Sequence, residues 1–390
     1  MTTLSVVPPH PLEPPIAPGR LRTLGEFLVI GGLTPFLFPL SLGLQKLFGL
    51  DSSELAVGFV MFHAAFVIND PHFAVTYLLF YKDIRARAFG NHWSTPQKIR
   101  YLIAGFFVPL ALSAWGISAI ASKSPYLLGL MIQLMFLLVG WHYVKQGFGV
   151  FSVLCARRGI VFGARERWAV LAHCYAGWAY AWASPMDPGR LLEEKGLVYM
   201  SISHPPGLER FTQVVFFATT LPLAWVLARK WRQHKNPALI APLIALLCSV
   251  WAWSIYSGID PLVKYMVPAL HSLQYLYFVW ILKGNEARER EGPPWFERSA
   301  DMKLIRLAIS AIALAWILFH GIPGMLDGIF VSRKAIAELG SLGPTPYFAA
   351  IYAFVNMHHY FMDTVIWRRE NPDTRWLREP GPAKIEAEGI

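Results

Sequence analysis

His72, His142, His271 and the adjacent pair His358 and His359 each interrupt an apolar run long enough to cross a bilayer. A titratable side chain at that depth costs on the order of a few kcal/mol unless it faces other protein groups, which makes it a candidate functional residue. Several neutral imidazoles joined by one or two carboxylates form a donor set suited to iron, copper or zinc. We therefore take these five histidines as candidate metal ligands. Asp363 and Asp70 are added as further ligands or as partners for the imidazole N–H groups.

Neighbours three and four residues away on a helix share a face, and they add polar groups to the cluster. Lys145 and Gln146 share a face with His142, Gln274 and Tyr275 flank His271, and Asn356, His359 and Asp363 form one stripe. Lys145, Gln146, Gln274 and Tyr275 are thus candidate catalytic residues. Lys145 is expected to pair with Asp363 or Asp70, while Tyr143, Tyr275 and Gln274 are placed to orient a substrate. Pro71 disfavours helical geometry at Asp70 and removes a backbone donor, so a broken helix lining a cavity is expected there. His63, His173 and His320 read as hydrogen-bonding bridges between helices, and His10, His92, His204 and His234 as solvated.

The elements that must carry these residues are membrane helices. The 390 residues are 55% hydrophobic and 15% charged, the balance of a polytopic membrane protein. Apolar windows of spanning length fall at roughly 24–45, 54–81, 99–122, 126–154, 167–186, 210–229, 238–257, 262–282, 303–331 and 345–367. The expected fold is an all-α polytopic bundle of about ten transmembrane helices with cytoplasmic N- and C-termini. A disordered, proline-rich cytoplasmic lead would cover 1–22, a single transmembrane domain 23–368 and a cytoplasmic tail 369–390.

Charge supports that topology. Alternate loops carry 25 Lys and Arg on one side and 7 on the other, the asymmetry of the positive-inside rule. The net charge of +10 follows from this bias and implies no nucleic-acid partner. Counting back from the first cytoplasmic charge, at about 1.5 Å per residue, places all five histidines about 14–22 Å from the basic face. The outer loop 187–209 and the cytoplasmic loop 283–302 are long enough to form a lid or docking surface. Cys155, Cys174 and Cys248 have no CxxC spacing and read as structural.

Polytopic topology, cytoplasm-proximal histidines and the doublet in Asn356-Met357-His358-His359 give the chain a general likeness. It resembles the histidine-rich integral-membrane non-haem iron enzymes, namely fatty-acid desaturases and hydroxylases and, more loosely, bacterial carotene-cleaving dioxygenases. The HxxxH and HxxHH boxes of desaturases are absent. What the resemblance implies is a reaction type: oxygen-dependent hydroxylation, desaturation or cleavage of a lipid or isoprenoid substrate. One or two irons would serve as cofactor, in a bacterial plasma-membrane protein with a separate electron donor docking on the basic face. The alternatives are a haem- or copper-binding redox or sensor protein, and a proton-coupled transporter using the His, Asp and Lys residues as a relay.

Overall fold

Helices occupy every apolar window. The computed structural model describes residues 20–91, 93–183, 190–234, 239–258, 260–291 and 298–377. The lead through residue 19 with His10, as well as His92, Lys235 and residues 378–390 of the expected tail, lies outside the described residues. In chain order the longer helices are α1 (Thr23–Gly32), α2 (Thr34–Phe48), α3 (Leu50–Tyr81), α4 (Thr95–Ala121), α5 (Pro125–Arg157) and α6 (Ala164–Ala183). They continue as α7 (Leu208–His234), α8 (Ile240–Trp253), α9 (Pro261–Glu289), α10 (Ala300–Phe330) and α11 (Pro346–Ile366).

Among the described residues, α3, α4, α5, α7 and α10 are long and apolar enough to cross a membrane, and α1 with α2 makes a sixth if the bent pair is one span. Between 11% and 39% of each of the five apolar windows is buried within the protein. Most of that apolar surface, including Phe59, Phe62, Phe106, Phe107 and Ile309, points outward, and a hydrocarbon environment rather than water satisfies it. The chain is an integral membrane protein. The polar site residues lower the apolar character of α9 and α11, and these two helices hold their polar side chains inside the bundle: His271, Ser272 and Gln274 on α9 and Asn356, His358, His359 and Asp363 on α11 are all buried.

Proline shapes these helices by widening turns rather than by breaking them. The turn Ala65–Asn69 before Pro71 is wide, with the Asp70 N–H donating to the Ala65 carbonyl five residues back, and Asp70 keeps helical angles (φ −67°, ψ −42°). The break expected at Pro71 is therefore absorbed as an extra residue in the turn, and the Asp70 N–H keeps a carbonyl partner although Pro71 has no donor of its own. Similar wide turns, Ile103–Phe107 and Ile317–Gly321, stand ahead of Pro109 and Pro323. In the first case the Gly105 carbonyl, four residues before Pro109, accepts from the Tyr81 hydroxyl at 3.1 Å.

The sharp break lies elsewhere. Between α1 and α2 the axis turns by 65° at Gly31, whose φ of +135° is open to glycine and strained for other residues. The carbonyls released there are claimed by the bundle: Gln274 Nε2 donates to Ile30 O at 2.6 Å and Cys248 Sγ to Gly31 O at 3.2 Å. At the opposite end from the basic loops, strands β1 (Leu191–Glu194) and β2 (Leu197–Met200) form an antiparallel hairpin with Leu191 opposite Met200. Tyr199 of β2 packs on Gly129 of α5, and Thr345 Oγ1 donates to Lys195 O at 2.6 Å, which straps the hairpin across α5 and the start of α11.

A Cβ at Gly31 would sit 3.1 Å from Cys248 Cβ, whereas one at Gly43 of α2 would meet nothing within 4 Å. Gly31→Ala is expected to destabilise the fold by about 1–3 kcal/mol, seen as a lower unfolding midpoint in detergent. Gly43→Ala should leave that midpoint unchanged or slightly raised.

Candidate metal centre

Four helices, α3, α5, α9 and α11, bring one imidazole each to a common point. The ligand nitrogens of His72, His142 and His359 lie within 4.8 Å of one another. His142 Nε2 is the hub, 3.3 Å from His359 Nε2 and 3.1 Å from His271 Nε2. Asp363 adds a carboxylate, its Oδ2 standing 3.4 Å from His359 Nε2 and 3.8 Å from His142 Nε2. All five side chains are at most 8% exposed.

Polar groups around the cluster hold His72 and Asp363 in a ligand-like state, while His271 Nδ1 and His359 Nδ1 are buried without a hydrogen-bond partner in the protein. Ser272 Oγ donates to Asn69 Oδ1 at 3.0 Å, so it accepts from His72 Nδ1–H at 3.2 Å. That bond fixes the tautomer of His72 and leaves its Nε2 lone pair toward the cluster. This Nε2 is buried and has no hydrogen-bond partner in the protein. Asp363 Oδ1 accepts from Tyr275 Oη at 2.8 Å and from Trp367 Nε1 at 3.2 Å, and Thr76 Oγ1 lies 2.6 Å behind the tyrosine oxygen. Two donors therefore restrain one carboxylate oxygen while the other faces the imidazoles, an arrangement typical of the groups that support metal ligands. Tyr360 stacks on the His142 ring at 4.6 Å and Tyr143 packs on His271 at 4.3 Å, which limits rotation of both imidazoles.

This donor set fits a cation. Metal–nitrogen distances of about 2.0–2.1 Å put neighbouring donors of one ion about 3.0–3.4 Å apart, the separation found between His142 Nε2 and its two imidazole neighbours. Without a cation, these nitrogens share protons among themselves and with Asp363 Oδ2 in a buried apolar setting.

The expected site residues divide into two groups. His72, His142, His271, His359 and Asp363 come together. His358 is placed apart: one residue along a helix turns about 100° from its neighbour, and His358 faces α3 and α4. Its Nε2 donates to Ala104 O in the wide turn of α4 at 2.9 Å, and its Nδ1 accepts from Tyr77 Oη at 3.0 Å. Both ring nitrogens are therefore occupied. Asp70 also stands outside the group, with Oδ2 2.9 Å from His320 Nε2, so that Asp70 and His320 join α3 to α10.

Neither carboxylate goes to Lys145, contrary to expectation. Asp70 pairs with His320 and Asp363 with Tyr275, Trp367 and the imidazoles, and Lys145 is only partly buried. Gln146 and Gln274 spend their amides on structure. Gln146 Nε2 donates to His271 O at 3.1 Å and to Gln274 Oε1 at 2.8 Å, and Gln274 in turn holds Ile30 O. Tyr275 supports Asp363 rather than an open substrate space.

Of the histidines read as bridges, His173 links three helices, donating from Nδ1 to Thr219 Oγ1 at 3.2 Å and accepting from Trp251 Nε1 at 3.1 Å. His320 bridges to Asp70. His63 instead donates to Phe59 O of its own helix at 2.8 Å, and His204, expected to be solvated, is half-buried and packs on Trp182 with ring centroids 4.2 Å apart. The supporting residues Ser272, Thr76, Tyr77 and Trp367 carried no signal of their own in the sequence. Only the four-residue spacing of Asp363 and Trp367 could have linked that pair.

Comparison with protein-family models, curated proteins and solved structures gives no match. The chemistry of the site is therefore argued from its residues.

The different surroundings of the two adjacent histidines give a direct test. His359→Ala and His142→Ala should abolish stoichiometric metal binding in the purified protein, while His358→Ala should keep the metal and lower only thermal stability. Asp363→Asn should weaken metal affinity about 10–100-fold, measured by chelator competition. Metal loss in His358→Ala equal to that in His359→Ala would contradict this division.

Proposed function

We propose that the chain is a membrane-embedded metal-dependent oxidoreductase that binds one or two irons and acts on a lipid or isoprenoid molecule. The observation that carries this reading is the convergence of His72, His142, His271 and His359 with Asp363. Neutral nitrogens with a carboxylate oxygen suit iron. The three cysteines lie in other contacts; Cys248, for example, donates to Gly31 O. Bound iron would supply the activation of oxygen for hydroxylation, desaturation or cleavage.

The residues of the chain prepare for that chemistry. Ser272 and Asn69 keep the His72 lone pair directed inward, Tyr275 and Trp367 restrain the outer oxygen of Asp363, and Tyr360 and Tyr143 hold the rings of His142 and His271. The apolar packing around the cluster, with Phe73 and Tyr360 buried against the histidines, excludes water and suits a substrate dissolved in the bilayer. The close spacing of the imidazoles favours bare ions over haem, and their alternation with hydrogen-bonded partners favours a ligand cage over a transport relay.

The proposal includes ten crossings with both termini on the cytoplasmic side of a bacterial plasma membrane. Alternation of basic loops supports this topology, as does the presence of a helix in every apolar window. Electrons would come from a separate protein docking on the basic face.

Elemental mass spectrometry and a visible spectrum of the same detergent-purified sample test the proposal. One or two irons per chain without a sharp haem band are expected. A haem band, or absence of metal after reconstitution, would refute it.

A further inference from the structure

A second polar cluster lies at the basic end of the bundle, where α3, α9 and α10 meet. It borders a cavity of about 300 Å³. Lys82, just past the end of α3, and Lys283 and Arg290 near the end of α9 converge on one carboxylate. Glu286 receives Lys82 at 3.1 Å, Lys283 at 2.5 Å and Arg290 at 3.3 Å. Burial alone would raise the Glu286 carboxyl, but the Lys283 and Lys82 ammonium groups beside it hold it down at about 2. Glu286 is therefore ionised at neutral pH. Three cations share it, leaving a surplus of two positive charges on this carboxylate.

The rest of the lining is apolar. Leu78 and Leu79 of α3 face Leu304 and Leu307 of α10, and Trp280 on α9 and Ile305 on α10 are exposed nearby in sequence. Lys82 and Arg290 keep 43% of their side-chain surface open, so their donors are only partly consumed by Glu286. The cavity thus combines surplus positive charge on one wall with leucines on the other, at the point where apolar helices meet the basic loops.

We propose that this cavity binds the phosphate headgroup of an anionic phospholipid, with the acyl chains continuing along the leucine wall. A phosphodiester satisfies the surplus cations, and its hydrocarbon covers the apolar lining. Basic pockets between helices on the cytoplasmic side bind such headgroups. A soluble acidic partner would satisfy the charges but leave the half-buried Leu78 and Leu307 uncovered. The inference depends on the bundle lying in a membrane and is independent of the metal centre.

The test is native mass spectrometry of the full chain, purified in neutral detergent with equal amounts of phosphatidylglycerol and phosphatidylcholine. One retained phosphatidylglycerol per chain is expected, in preference to phosphatidylcholine. Because each basic residue contributes about fivefold, Lys82→Gln combined with Arg290→Gln should lower that retention about 30-fold. Its far-UV circular dichroism and its elution on size exclusion should match the unsubstituted protein, which shows that the bundle remains folded. Millimolar inorganic phosphate should not displace the lipid. Equal retention of the two lipids, unchanged retention in the double variant, or displacement by free phosphate would each overturn the assignment, the last by making the ligand a soluble phosphate.

Discussion

The structure depends on the placing of four imidazoles and one carboxylate at the centre of an apolar bundle. In water such groups are satisfied cheaply. In a hydrocarbon-facing protein they are tolerable when something shared neutralises them, because an uncompensated polar group there costs on the order of several kcal/mol. A cation held by His72, His142 and His359 would meet that need, with His271 beside His142 and Asp363 beside His359. Their N···N separations of 3.1 and 3.3 Å are those of donors facing one ion. The identities of Ser272, Tyr275 and Trp367 follow, since each uses a hydrogen bond to keep a lone pair turned toward the centre.

The surrounding helices show the same constraint in their backbones. Departures from helical geometry free carbonyls that lipid cannot satisfy, and at the Gly31 bend and the wide turn of α4 side chains of the bundle meet them. Gln274 covers Ile30 at the Gly31 bend, Tyr81 covers Gly105 and His358 covers Ala104 in the wide turn of α4. Several residues with reactive side chains are therefore structural. Gln274, which flanks His271, and His358, which adjoins His359, serve the backbone. The chemistry is confined to the few groups whose lone pairs have no such use.

Much of this was legible in the sequence, and the boundary has a physical cause. Hydropathy locates helices because lipid exposure constrains composition, and counting from the basic loops brings His72, His142, His271 and His359 to one depth because helical rise is nearly constant. Depth says nothing about azimuth. His358 and His359 share a level but face different neighbours, and only the wide turn in α4 reveals which one a backbone carbonyl claims. The partner of Lys145 was misjudged for the same reason: charge and depth fit Asp363, while rotation about α11 directs that carboxylate to Tyr275 and Trp367. The Pro71 expectation failed because widening one turn accommodates the proline ring while the Asp70 N–H keeps a carbonyl partner, an option local sequence does not display.

The most direct test of the account is X-ray absorption at the metal edge of the purified, metal-loaded protein. The account requires a first shell made only of nitrogen and oxygen, with outer-shell scattering from at least three imidazoles, as His72, His142 and His359 would produce. A sulfur ligand, or a shell without imidazole scattering, would contradict it.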